Sequence, residues 1–351
     1  MPHDPGPAPV IAPGPRNLIT DVDGITVGHA GSTAVRSGTT VLLTDTRAVA
    51  AADVRGGAPG TRETDLLDPS CLVDTIDAVV LSGGSSYGLD AASGAVAWLG
   101  ARDRGFRLGA TPRVSPIVPG AVLFDLANGG DKAWGEIPPY RAWGIEACEN
   151  AAADFALGNV GAGMGALVGD LKGGLGSASA IFGEMQVGAM VAVNAFGSAV
   201  APGTTTLWAA PYELADELGH QDALPANGAA AQSPFAGCRP GVEGTAAGAN
   251  TTLGILATNL VLTASEARRI AIMAQDGLAR ALRPIHSHVD GDTIFVVSTG
   301  KVAIPETDRL VTLLRLGAMA ADTVTRAAAR GVYAADDLGG VPGYRTRRAA
   351  G

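Results

Sequence analysis

Aromatic side chains are scarce in this chain: Phe, Trp and Tyr make up 5% of its 351 residues. A core built with so few of them has to be filled by aliphatic and small residues. The chain is 47% apolar and holds 49 glycines, a composition that predicts closely packed sheets and helices. Cysteine is also rare. Cys71, Cys148 and Cys238 lie far apart with no CxxC spacing, which argues for reduced thiols and against a disulfide framework or a zinc site. Positive charge is in deficit, with 25 Lys and Arg against 34 Asp and Glu, a net charge of −9. An acidic surface repels phosphate backbones and anionic membranes, so neither is an expected partner. No apolar run reaches the roughly 18 residues of a membrane-spanning helix, and the N-terminus lacks the basic-then-apolar order of a signal peptide. The expected setting is the cytoplasm.

The length fits one large layered domain. Residues 1–16 and 339–351, rich in Pro, Gly or Arg, read as flexible tails around a single domain over 17–338. Strands are expected at 39–54 (bent, or two in succession), 77–82, 120–126, 177–182, 187–194, 251–260 and 293–298. Helices are expected at 87–104, 140–157, from about 264 to Arg283-Pro284, and at 306–330. Thr263 and Glu266 form a T-x-x-E capping box at the third of these. The glycine-dense stretch 158–176 serves turns and close backbone approach, and 201–249 reads as a long irregular segment. Strands in adjacent groups with helices between them indicate an α+β chain of stacked sheets covered by helices, rather than a simple βαβ repeat.

Two nucleophiles compete. Gly84-Ser85-Ser86-Tyr87-Gly88 fits G-x-S-x-G between a strand and a helix, with His286 and His288 downstream, so Ser86 is a candidate for an α/β-hydrolase-like esterase. The HGGG-type oxyanion loop of such enzymes is absent, and glycines serve any tight turn. The second candidate is Asn250-Thr251-Thr252, where the irregular segment meets a strong strand. A cut there would free a Thr251 α-amine, with a reference pKa of about 7.7–8.0, to act as the base for its own hydroxyl. On these residues alone the start of a strand is the simpler reading.

The run GANTTLGILATN at 248–259, followed by DGDTIF at 290–295, resembles the family that holds the L-aminopeptidase/D-esterases, the β-peptidyl aminopeptidases and the nylon oligomer hydrolase. GITVGHA at 24–30, DVRGGAPGTRETDLL at 53–67, LSGGSSYGLDAA at 81–92, GNVGAGMGA at 158–166, KGGLGSAS at 172–179 and VNAFG at 193–197 extend the resemblance from about Ile19 to Ala329. It implies a four-layer αββα sandwich of the N-terminal-nucleophile type, self-cleavage into 1–250 and 251–351, and homo-oligomers, tetrameric or larger. Amide hydrolysis of short peptides, amino acid amides or nylon-type oligoamides follows from it, with no cofactor and no metal. Position by position, Asn250 matches the residue before the cut, Thr251 the nucleophile, Asn194 an oxyanion donor, and Asp290 with Asp292 an acidic pair beside the new amine. The family's lysine aligns with Asp170; Lys172, two residues on, takes that role in this reading. A tyrosine of the nylon branch aligns with Phe124, which with Tyr87 is expected to line the substrate pocket. An uncleaved, small-molecule-binding relative is the non-enzymatic alternative.

Overall fold

The computed structural model describes residues 10–224, 233, 235–239 and 250–350. Its strands are β1 (Ile25–Ser32), β2 (Ser37–Val54), β3 (Gly60–Arg62), β4 (Thr75–Ser82), β5 (Gly120–Val122), β6 (Leu167–Val168), β7 (Leu171–Lys172), β8 (Leu175–Phe182), β9 (Met185–Asn194), β10 (Thr251–Leu260) and β11 (Thr293–Val302). The helices are α1 (Asp90–Gly100), α2 (Tyr140–Glu149), α3 (Ala264–Ala281), α4 (Arg309–Ala334) and α5 (Tyr344–Ala350).

Nine strands form one sheet in the order β3-β5-β4-β2-β11-β10-β9-β8, with β1 also paired to β2, while β6 and β7 form a separate hairpin. The long strand β2 belongs to two layers. Its first part, Thr39–Leu43, pairs with β4, and its last part, Val49–Val54, pairs with β11, with a register shift against β4 between Leu43 and Ala48. Strand alternation sends neighbouring residues to opposite faces. Leu42, Ala50, Ala52, Ile255, Phe295 and Met190 meet in a central core between the two layers. Val41 and Leu43 pack outward with α1 and α2 residues such as Ala95, Leu99 and Trp143. Ala51, Leu256, Ile294 and Val191 pack outward on the other side against α3 and α4. The result is helices, sheet, sheet, helices: the expected αββα sandwich, with its two β layers joined through β2.

Strand β10 spans the expected 251–260, and all ten of its residues are buried. The capping box is present: Glu266 N–H donates to Thr263 Oγ1 at 3.2 Å, and Thr263 N–H to Glu266 Oε2 at 2.8 Å. Helix α2 stops at Glu149, short of the expected 157, because Ala152 turns back to exchange two 3.0 Å backbone bonds with Val27. Strand β5 is three residues long, and α1 starts only after a 3₁₀ turn over Ser85–Leu89. In the stretch where a C-terminal tail was expected, α5 forms and buries Tyr344, whose hydroxyl donates to Thr205 O at 2.6 Å. At the other end, Gly14 N–H bonds Ser179 Oγ at 3.0 Å and Ala12 bridges Ile181, adding residues before Asn17 to the β8 edge.

Candidate active site

Thr251 opens β10, in the interior of the sheet between β9 and β11. Its Oγ1 donates to the carbonyl oxygen of Asn250 at 2.5 Å, and Gly291 N–H donates to the same oxygen at 3.0 Å. The carbonyl of the expected cut therefore has the candidate nucleophile on one side and a backbone donor on the other. Glycine leaves the hydroxyl its room at 291: a Cβ there would lie 2.7 Å from Thr251 Oγ1 and 2.8 Å from Ala58 O. Thr251 and Asn250 are each 3% exposed, so the candidate nucleophile is enclosed.

Asn194 ends β9, and in the antiparallel register it is the partner of Thr251. Register partners share one face of the sheet, with Cβ atoms roughly 5 Å apart. The Asn194 side chain is fixed at both ends. Its Oδ1 accepts from Leu167 N–H (3.0 Å), Asn128 Nδ2 (3.3 Å) and Arg239 Nη2 (2.5 Å), and its Nδ2 donates to Phe124 O at 3.1 Å.

Asp290 and Asp292 are fully buried on the turn before β11 and have different partners. Asp292 accepts from Thr252 N–H (2.7 Å) and from His286 N–H (2.9 Å), with His286 Nδ1 also at 2.9 Å. Asp290 accepts from Ser287 N–H (2.9 Å), Ser287 Oγ (2.5 Å) and, more weakly, Phe196 N–H (3.4 Å). Burial, and then the nearby Asp292 charge, push the Asp290 carboxyl above its ordinary value. Asp292 thus braces the strand immediately after Thr251, while Asp290 holds the turn at Ser287.

Lys172 is buried on β7, and its ammonium donates to Gly163 O (3.0 Å), Ala166 O (2.9 Å) and Gly173 O (2.6 Å). Burial lowers its pKa to about 7, Asp125 opposes that shift, and Arg239 adds to it. In the uncut chain all three ammonium hydrogens go to the glycine-rich loop that presents Leu167 N–H to Asn194. Asp170, at the aligned lysine position, instead pairs with Arg347 at 3.0 Å on the surface. Phe124 meets Asn194 through its backbone. Tyr87 is half exposed and edges onto Trp134, with ring centroids 5.8 Å apart. Ser86 is exposed in the 3₁₀ turn, and no hydrogen bond among the described residues joins it to a histidine. The sheet is antiparallel except at β4–β5 and β10–β11, unlike the parallel sheet on which a nucleophile elbow sits.

A cavity of about 340 Å³ between the Val200–Thr205 loop and α5 contains none of Thr251, Asn194, Lys172, Asp290 and Asp292. No group of three or more potential metal ligands occurs among the described residues, and no described helix is long and apolar enough to cross a membrane.

The model of peptidase family S58 matches residues 17–346. The chain belongs to this family. It is 44% identical to an uncharacterized aminopeptidase of Mycobacterium bovis, covering 94% of this chain and 97% of that one. It is 30% identical to a 6-aminohexanoate-oligomer endohydrolase of an Agromyces strain, covering 86% and 80%. The solved L-aminopeptidase D-Ala-esterase/amidase of Ochrobactrum anthropi, described as a variant of the Ntn-hydrolase fold, superposes with a TM-score of 0.66 over 96% of this chain and 94% of that one, at 20% identity. As an S58 peptidase, the protein is a hydrolase of peptide or amide bonds on an N-terminal-nucleophile fold. Two residues beside the candidate site were not singled out for it from the sequence. Arg239 comes from the irregular segment with no motif around it. His286, named in the sequence only beside the Ser86 reading, has a left-handed backbone (φ 57°) and brings its backbone N–H and Nδ1 to Asp292.

Proposed function

We propose that the chain cuts itself between Asn250 and Thr251 and then hydrolyses small amide or peptide substrates with Thr251 as an N-terminal nucleophile. The observation that carries this reading is the Thr251 hydroxyl resting against the Asn250 carbonyl, whose oxygen Gly291 N–H already polarises. Oγ1 attacks the carbonyl carbon, the C–N bond breaks, and the hydroxyl proton ends on the Thr251 nitrogen. Water then hydrolyses the ester, leaving an Asn250 carboxylate, a free hydroxyl and a free α-amine.

In turnover the α-amine takes the Oγ1 proton as Oγ1 attacks the substrate carbonyl, then passes it to the departing amine. Asn194 Nδ2, which has a second hydrogen beyond the one given to Phe124 O, stabilises the oxyanion. Lys172 supports that donor by holding the 163–166 loop. Asp290 and Asp292 fix the turn and strand around the amine. Water releases the acyl group and regenerates the hydroxyl. Short substrates, such as amino acid amides, dipeptides, β-amino acid peptides or oligoamides, suit an enclosed nucleophile, with Tyr87 and Phe124 on the substrate side. A homo-oligomer in the cytoplasm fits the same reading, and three cysteines that form no disulfide suit that compartment.

Intact-mass measurement over time, with turnover of aminoacyl p-nitroanilides, tests the proposal. Wild-type protein is expected to give 1–250 and 251–351 and to gain activity in step. Thr251→Ala should do neither, and Ser86→Ala should do both. A stable uncut chain that turns over amides would remove Thr251 from its role.

A further inference from the structure

Arg239 lies near the end of the described part of the irregular segment, eleven positions before Asn250, yet it is built into the heart of the site. Its backbone N–H bonds Phe196 O at 3.1 Å, two residues past Asn194. Its Nη2 reaches Leu167 O at 3.0 Å and Asn194 Oδ1 at 2.5 Å. Arg239 thus ties the irregular segment to two parts of the site: the glycine-rich loop at Leu167 and the end of β9 at Asn194 and Phe196.

The chemistry of Asn194 makes this contact informative. A primary amide has one accepting end and one donating end, and only the donating end can stabilise an oxyanion. A flip about the last side-chain bond exchanges them at little intrinsic cost. Here a cationic donor, a backbone N–H and an amide N–H converge on one atom, which must therefore be the oxygen. The guanidinium bond is charge-assisted, so it is the strongest of the three and the one that most opposes a flip.

We propose that Arg239 is a positioning residue for the hydrolysis reaction: by holding the Asn194 carbonyl it turns the Asn194 N–H edge toward the oxyanion that forms when Thr251 attacks. The inference rests on the proposed roles of Thr251 and Asn194. Arg239 acts through Asn194, so it governs turnover more than self-cleavage, where Gly291 N–H already holds the reacting carbonyl.

The test uses the full-length chain as wild type, Arg239→Met, Arg239→Lys and Thr251→Ala. Self-cleavage is followed by intact mass, and steady-state kinetics on an aminoacyl p-nitroanilide are measured after cleavage is complete, with a thermal melt of each protein. Removing an oxyanion donor outright costs about 10²–10³ in kcat, and misplacing one costs part of that. Arg239→Met is expected to cleave itself and then to show kcat lowered about 10- to 100-fold with KM within about twofold of wild type. Arg239→Lys keeps a charged donor without the planar fork and should fall between the two, several-fold below wild type. A raised KM at unchanged kcat would mean that Arg239 binds substrate instead, and an unchanged kcat in Arg239→Met would also overturn the proposal. If Arg239→Met does not fold, Arg239→Lys decides, and a wild-type kcat in that variant overturns it. Activity in Thr251→Ala would sink the nucleophile reading and this inference with it. Inactive Thr251→Ala beside unaffected Arg239 variants would sink the inference alone.

Discussion

Replacing Gly291 by alanine tests the geometry of the proposed self-cleavage with one methyl group. The backbone at 291 is not in the left-handed region, and alanine keeps the N–H that bonds Asn250 O, so the change is steric. The new Cβ would stand 2.7 Å from Thr251 Oγ1 and 2.8 Å from Ala58 O, whereas ordinary contact begins at 3.4 Å. Relief requires a shift of 3.4 − 2.7 = 0.7 Å between the turn and the hydroxyl. Overpacking of this kind costs about 1–3 kcal/mol. Displacing a reacting atom by roughly 1 Å costs on the order of 10²-fold in rate. Gly291→Ala is therefore expected to fold, to melt a few degrees lower, and to cut itself about 10- to 100-fold more slowly. The assay is a time course of intact mass from freshly purified uncut protein. Gly100→Ala, where the nearest atom to the new Cβ is Pro116 Cγ at 3.8 Å, is the matched control and should behave as wild type. A Gly291→Ala chain that cuts itself at the wild-type rate would show that Oγ1 at its observed position is not the attacking atom.

Three further predictions follow from the same geometry. Asp290→Asn can turn its amide N–H₂ toward the long 3.4 Å Phe196 contact alone and should cost little, whereas Asp292→Asn must face a backbone donor at 2.7 or 2.9 Å and should cost about 1–3 kcal/mol; thermal melts of the two variants, on Thr251→Ala chains to keep both uncut, compare them. His29 is depressed to about 4, mainly by burial, so the unfolded chain takes up a proton near pH 6.5 that the fold accepts only near pH 4; stability present above 6.5 is lost as pH falls from 6.5 to 4, by up to about 3 kcal/mol, and His29→Gln should flatten that part of the profile of melting temperature against pH. Thr263→Ala removes the side-chain cap of α3 and should lower stability by about 1 kcal/mol without changing kcat, as read from denaturant melts and kinetics side by side.

What could be read in the sequence was what short stretches encode. β10 was placed correctly because apolar and β-forming residues fill it from end to end, and the α3 capping box because its two side chains are three residues apart. The resemblance supplied the sandwich, and of the residues it names Asn194 is the register partner of Thr251 while Asp292 accepts from Thr252 N–H. Features that depend on distant partners were not legible. The joining of the two β layers through β2 depends on where its partner changes from β4 to β11, and no local pattern in 39–54 marks that exchange. Helix α2 is shorter than its alanine-rich sequence suggests because Val27 claims Ala152. Lys172 was given the family lysine's role from its position alone, and only the fold shows it buried against three carbonyls. Arg239 stands in a stretch with no periodicity, and only the folded chain brings it to Asn194.

The position of β10 and β11 in the sheet has a consequence for the life of the molecule. Both would belong to the small fragment, yet β10 pairs with β9 on one side and β11 pairs with β2 on the other, and both of those belong to the large one. A cut at Asn250–Thr251 therefore leaves two chains zipped together along two full ladders, and they separate only if the molecule unfolds. Before the cut, folding is the act of a single chain and does not depend on its concentration. After it, recovering the same structure requires two different chains to meet, so refolding slows with dilution and competes with aggregation of the exposed strands. Maturation at this bond would turn a reversible fold into one assembled only once, and the lifetime of the mature enzyme would be set by how slowly it first unfolds.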